Sequence, residues 1–109
     1  MRIDLHCDND ETVPALRDYV TLRMRAAIGQ FQHHIQWARV KLADVEGERG
    51  ASDKRCVVRL RLRNLPDVVF AITRIDVRSA VDLAAERVSR VLAQRLHRRR
   101  QVVALVAPA

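Results

Sequence analysis

The stretch RCVVRLRLR, residues 55–63, decides the fold because apolar and charged side chains alternate along it. Cys56, Val58, Leu60 and Leu62 share one face, and the other face carries Val57 and four arginines. Successive side chains of a strand point to opposite sides of its sheet. The pattern therefore predicts a strand with one face buried and the other in water.

Residues 2–7 and 35–45 alternate in the same way and are predicted as strands, and residues 68–75 are predicted as a returning strand. Residues 46–53 are polar and contain two glycines, which predicts a loop. The turn-forming residues of NLPD at 64–67 predict a hairpin. The last three strands are therefore expected to form an antiparallel meander.

Two segments with apolar residues at spacings of three and four are predicted as helices, at residues 13–29 and 75–100. Thr12 can cap the first helix, and Pro14 is tolerated in a first turn. Asp76 directly precedes the second helix, where a carboxylate accepts hydrogen bonds from unpaired backbone N–H groups. We interpret Asp76 as a helix cap and not as a catalytic acid.

The order of these elements predicts an α+β fold of type βαβββα. The first strand reaches the second across a helix, so that pair is expected to be parallel, by a right-handed crossover. Each helix has one apolar face, so both are expected to pack on one face of a four-stranded mixed sheet. The open face would carry Trp37, Arg39, Lys41, Arg59 and Arg61. We predict one domain at 1–100, followed by a loosely ordered tail at 101–109.

The net charge of +7 and the pI of about 10.9 favour a polyanionic partner, nucleic acid ahead of membrane. Arginine supplies eighteen of the twenty basic residues, and its guanidinium suits bidentate phosphate contacts. Aromatic residues make up only 4% of the chain, which argues against a single-strand binder built on base stacking.

Several function classes find no support in the sequence. Charged residues interrupt the early apolar positions, so no signal peptide is expected, and no apolar run is long enough to span a membrane. Cys7 and Cys56 lack metal-ligand spacing and are interpreted as small buried residues in a reducing cytoplasm. We find no phosphate loop and no nucleophile motif, and we expect no catalytic site, metal, cofactor or small-molecule substrate.

The last helix carries a cationic stripe beside its apolar one, formed by Arg87, Arg90, Gln94 and His97. Asp82 and Glu86 lie on the opposite flank. A cationic ridge on a rigid helix suits a phosphate backbone. The candidate RNA-binding residues are the arginines of the two helices: Arg17, Arg23, Arg25, Arg87, Arg90, Arg95, Arg98, Arg99 and Arg100. The open sheet face is the competing surface.

Four short strings, in register, resemble one protein family. They are ALRDYVT at 15–21, SD at 52–53, DVRSAVD at 76–82, and the pattern Arg87-x-x-Arg90-x-Leu92. The chain resembles the short ribosome hibernation promoting factors, also called ribosome-associated inhibitors or the S30EA family, from residue 1 to about 100. Arg78 replaces the usual tyrosine of that family, and Gln94 stands where lysine is common.

The resemblance implies a βαβββα fold that binds the small ribosomal subunit at the decoding region, through basic helix residues on 16S rRNA. Arg87 and Arg90 occupy positions that are typically basic in the family. Long-form members have a second domain that pairs ribosomes, which this chain is expected to lack.

We therefore expect a cytoplasmic, non-catalytic translation inhibitor that occludes mRNA and tRNA. Two alternatives remain. One is a module similar to the double-stranded RNA-binding domain, although a lysine-rich second-helix start is missing. The other is a protein-interaction module that uses the open sheet face, which an exposed Trp37 would favour.

Overall fold

The computed structural model describes residues 2–7, 14–46 and 52–106, with the side chains of 7, 52 and 99–106 left undescribed. The chain has the predicted βαβββα order. Its elements are β1 (Arg2–Cys7), α1 (Pro14–Ile28), a 3₁₀ helix (Gly29–His34), β2 (Ile35–Glu46), β3 (Ser52–Leu62), β4 (Val68–Arg74) and α2 (Val77–Val106).

The four strands form one mixed sheet in the order β1-β2-β3-β4. β1 pairs with β2 in parallel, whereas β2 with β3 and β3 with β4 are antiparallel. The parallel first pair and the antiparallel meander are therefore confirmed. Asn64 adopts a φ of 61° in the β3–β4 turn, a left-handed conformation that asparagine tolerates better than most residues.

The core lies between one face of the sheet and both helices. The sheet contributes alternate residues such as Val40, Val58 and Leu60, each at most 1% exposed. The helices add the fully or almost fully buried side chains of Val20, Met24, Ile28, Val81, Ala84, Val88 and Leu92. Burying an aliphatic side chain of this size contributes about 1.5–3 kcal/mol. The packing of both helices on one face is confirmed.

The cap at Asp76 places the start of α2 at Val77, two residues later than predicted. The Asp76 carboxylate accepts hydrogen bonds from the backbone N–H (2.8 Å) and the hydroxyl (2.9 Å) of Ser79. These bonds lower the pKa of Asp76. The capping interpretation is therefore confirmed.

The end of α2 also differs from the prediction. The helix backbone continues past Arg100 to Val106, because residues 101–106 contain no glycine or proline and Pro108 is the first helix breaker. The predicted loose tail thus begins with six helical residues. Residues 107–109 lie outside the described part, and the domain boundary at residue 100 stays a prediction.

Other boundaries move by a few residues. α1 ends at Ile28, and the 3₁₀ helix fills the connection to β2 that contains His33 and His34. β2 extends to Glu46 and β3 begins at Ser52, so the strands take up part of the predicted loop. Thr12, the predicted cap of the first helix, lies outside the described residues.

Cys56 is completely buried in the core as a free thiol. Burial raises its pKa to about 12, so the thiol stays protonated and unreactive at neutral pH. This confirms the interpretation of Cys56 as a small apolar residue. The side chain of Cys7 is not described.

We expect Cys56→Ala to lower the free energy of unfolding by about 1 kcal/mol, because a small buried group is removed. Urea denaturation measures this loss. In the folded Cys7→Ala variant, the Cys56 thiol should react with a thiol reagent no faster than the protein unfolds. Rapid labelling of native protein would contradict the burial.

Candidate nucleic-acid interface

The outer face of α2 carries its exposed cations on one sector of the helix. With 100° of rotation per residue, Arg87, Arg90 and Arg98 fall with Gln94 and His97 within roughly a third of the circumference. All five side chains are exposed. We call this surface the α2 ridge. It contains the stripe that the sequence predicts.

Contacts within the protein position two of the ridge arginines. The Arg87 guanidinium lies 5.6 Å from the centroid of the Phe70 ring in β4. Arg90 pairs with Glu86 one turn earlier, at 3.1 Å, with both side chains at least 60% exposed. Such an exposed pair contributes little free energy, so a phosphate can compete for Arg90 at small cost.

The flank of α2 that faces α1 holds the other described acidic residue of this helix, Asp82. Its carboxylate accepts hydrogen bonds from the Tyr19 hydroxyl and from Arg23 Nε, the latter at 2.9 Å. The hydrogen bond to Asp82 raises the pKa of Tyr19. The Arg78 guanidinium lies over the Tyr19 ring, 4.8 Å from its centroid. These contacts join the two helices and turn the acidic group away from the α2 ridge.

A shallow groove runs between the helices and opens beside the α2 ridge. Small residues form its floor, and Arg23, Glu86 and Arg90 border it. Arg23 is thus close to the α2 ridge, although it is also paired with Asp82. Of the α1 arginines, it is the one that the structure brings to α2.

Arg17 and Arg25 lie elsewhere on α1. Arg25 follows Arg23 by two residues, which is a rotation of about 200°, and Arg17 is closer in angle to Arg25 than to Arg23. Both side chains are exposed on flanks turned away from α2. Arg99 and Arg100 continue the helix backbone, but their side chains lie outside the described part.

Arg95 turns toward the sheet and away from the α2 ridge. One guanidinium nitrogen donates hydrogen bonds to the carbonyl oxygens of Pro66 (2.8 Å) and Asp67 (3.3 Å) in the β3–β4 turn. The sequence spacing already indicated this inward orientation, because Arg95 follows the buried Val88 by seven residues and the buried Leu92 by three. Its place in an RNA contact stays a prediction.

The open sheet face is the second basic surface. Trp37 is half-buried there, not fully exposed as the sequence suggested, because the Arg39 guanidinium lies 4.2 Å from its ring centroid. Arg61 approaches the same ring at 5.7 Å. Sequence reasoning named these residues but did not find that they stack.

Among residues 2–7, 14–46 and 52–106, no three His, Cys, Asp or Glu side chains are grouped to hold a metal ion. Within the same part of the chain, no helix is long and apolar enough to cross a membrane.

Comparison with known proteins identifies the family. Residues 3–100 match the model of the family described as sigma 54 modulation protein / S30EA ribosomal protein. The chain therefore belongs to this family, and the resemblance stated from the sequence is confirmed. No curated protein matches the chain significantly.

Two solved structures have the same fold. A ribosomal subunit interface protein from Coxiella burnetii superposes with a TM-score of 0.76 at 15% identity, covering 89% of this chain and 99% of that one. The N-terminal domain of Protein Y from Thermus thermophilus gives a TM-score of 0.65 at 25% identity, covering 84% of this chain and 99% of that one.

We expect Arg95→Met to lower the free energy of unfolding by about 1–2 kcal/mol, because two charge-assisted hydrogen bonds to the turn are lost. Arg98→Met is the matched control, since Arg98 is exposed and lies on the α2 ridge. It should leave stability within about 0.5 kcal/mol. Urea denaturation measures both, and equal stabilities of the two variants would contradict the structural role of Arg95.

Proposed function

We propose that this member of the S30EA ribosomal protein family is a cytoplasmic translation inhibitor that binds the small ribosomal subunit. In this proposal the α2 ridge contacts 16S rRNA in the decoding region, and the bound domain excludes mRNA and tRNA. Two observations support it: the family match over residues 3–100, and the arrangement of arginines on α2. The family match favours the ribosome as the partner, and the arrangement of arginines favours α2 as the surface that would contact RNA.

The observation that carries the proposal is the group of exposed arginines on α2, where the exposed Glu86 carboxylate is itself paired with Arg90. Arg87, Arg90 and Arg98 face solvent together, while the Asp82 carboxylate is held against α1 by Tyr19 and Arg23. Guanidinium groups bind phosphate in bidentate geometry, and each neutralised phosphate releases counterions. The α2 ridge therefore suits an RNA backbone.

The α2 ridge is also held rigid before any partner binds. Val81, Ala84, Val88 and Leu92 seat the opposite side of α2 on the sheet, each with no exposed surface. Binding therefore loses little conformational entropy in the helix backbone. Inhibition then needs no chemical step, because a folded domain in an RNA-lined channel fills the volume that mRNA and tRNA need.

The α1 arginines are candidates for a second contact with the same RNA. Arg23 borders the groove beside the α2 ridge, whereas Arg17 and Arg25 lie on other flanks of α1. The alternative of a double-stranded RNA-binding module gains no support at the start of α2. There the Asp76 carboxylate binds the Ser79 N–H and repels a phosphate.

We expect Arg87→Glu combined with Arg90→Glu to abolish binding to the small subunit while the fold survives, because both side chains lie outside the buried stripe. Each single variant should weaken binding at least about tenfold. Arg74→Glu is the charge-matched control, because Arg74 is exposed on β4 away from the α2 ridge. Cosedimentation measures binding, and circular dichroism checks the fold. If the folded double variant cosediments with the small subunit unchanged, the binding site does not lie on α2.

We also expect the protein and mRNA with tRNA to exclude each other on the small subunit. Added protein should stop reporter translation in a purified system, and salt should relieve the inhibition as phosphate contacts weaken. Replacing residues 98–100 with alanine should flatten the salt dependence more than it changes the binding site. Simultaneous binding of protein and mRNA without competition would refute occlusion even if the protein binds ribosomes.

A further inference from the structure

The open sheet face has a stacked arrangement at its centre. Trp37 of β2, the single tryptophan of the chain, has the Arg39 guanidinium 4.2 Å and the Arg61 guanidinium 5.7 Å from its ring centroid. Aromatic rings and guanidinium planes are the two protein surfaces on which unpaired bases stack. A base can therefore stack on the outer face of Arg39 or take its place on the ring.

Cations outnumber carboxylates on this face. Alternation along the strands places six exposed basic side chains there, against Asp4 and Asp53 within the strands. The six are Arg2, Arg39, Lys41, Arg55, Arg59 and Arg61. Asp67 of the β3–β4 turn approaches Arg59 and Arg61 at 3.9 and 3.8 Å, and these arginines stay 56% and 55% exposed. The face remains net positive.

The register brings two of these cations directly opposite each other. Arg39 and Arg59 are Cα partners across the β2–β3 ladder, and like charges at such positions destabilise a sheet. If this face only had to be soluble, a pair of opposite charges at these two positions would make it equally soluble without the repulsion. The arrangement is therefore better suited to a polyanion that neutralises both side chains.

We propose that the open sheet face is a second nucleic-acid surface, which binds an unpaired strand through one base on Trp37 and Arg39 and through phosphates on the arginines of β2 and β3. The choice of RNA as that strand rests on the proposed function, but the binding itself does not. One ring provides one stacking position, which fits the aromatic content of 4%, so the strand is held mainly through its phosphates and its sequence is not read. It lies on the opposite side of the sheet from α2.

Charge and apolar area favour a nucleic acid over a protein on this face. Among the described residues, the exposed large apolar side chains are Leu22, Val69 and Ile75, and Val69 alone lies on the open face. The fully buried centre of a protein interface is depleted of charged residues, whereas this face has arginines at its centre. A duplex is disfavoured because its bases are already stacked on one another.

The test uses the full chain and a single-stranded oligoadenylate RNA of about 12 nucleotides. Trp37 reports on the site without a label, since the chain has one tryptophan. We expect saturable quenching of its fluorescence at low salt. Inorganic polyphosphate, which has the charge but no bases, should quench the fluorescence less, because it can bind the arginines but cannot stack on the ring. Absence of saturable quenching, or equal quenching by polyphosphate, overturns the proposal.

Variants separate this surface from the α2 ridge. Arg39→Glu and Trp37→Leu should each weaken binding of end-labelled oligoadenylate by roughly tenfold in fluorescence anisotropy, with Arg74→Glu as the charge-matched control. Arg87→Glu combined with Arg90→Glu should keep the quenching of Trp37 even though it loses small-subunit binding. Thermal melts check that each variant is folded. Quenching that the double variant loses and Arg39→Glu keeps would assign the strand to the α2 ridge and refute the sheet site.

Discussion

The register between β2 and β3 decides which side of the sheet is apolar, and the rest of the structure depends on that choice. It pairs Val40 with Val58 and Ala38 with Leu60, so that these side chains meet beneath the helices. A slip of one residue would turn every side chain of one strand to the other face. The arginines of β3 would then enter the core without partners, which costs several kcal/mol for each buried charge. The alternating pattern therefore fixes the register as well as the strand.

The packing of α2 on this apolar face fixes the direction in which each charged side chain of α2 points. Because Val88 and Leu92 point at the sheet, Arg90 points outward, Arg87 lies on the flank beside Phe70 of β4, and Asp82 points at α1. Arg95 lies within the buried stripe and reaches the turn carbonyls instead of water. A long side chain can bury its aliphatic part along the core and still place its charged end at a polar group. One helix thus carries a core contact, an interhelix contact, a turn anchor and an exposed cationic surface.

The sequence predicted the elements that depend on local periodicity and missed contacts that depend on tertiary placement. Alternation identified the strands, a spacing of three and four identified the helices, and chain order was enough to predict their topology. The inward turn of Arg95 was missed because arginine is expected at the surface, although its place in the stripe was visible. The stack of Arg61 on Trp37 joins two strands, so it follows from the β2–β3 register and from no single stretch. The helix ends shifted because a cap at Asp76 and the absence of a breaker before Pro108 outweigh the amphipathic pattern.

The two basic surfaces stand in a fixed relation because the domain has only two layers. The α2 ridge faces outward from the helix layer, and the arginines around Trp37 face outward from the sheet, so no strand or helix of the described chain covers either. Charges of one sign on both outer surfaces repel across the thin domain and lower its stability. An RNA partner on one side relieves part of that repulsion, and RNA on both sides relieves more. A channel with RNA walls therefore suits this charge distribution better than a flat RNA surface, and this agrees with the proposed mechanism, in which the domain inhibits translation by filling space.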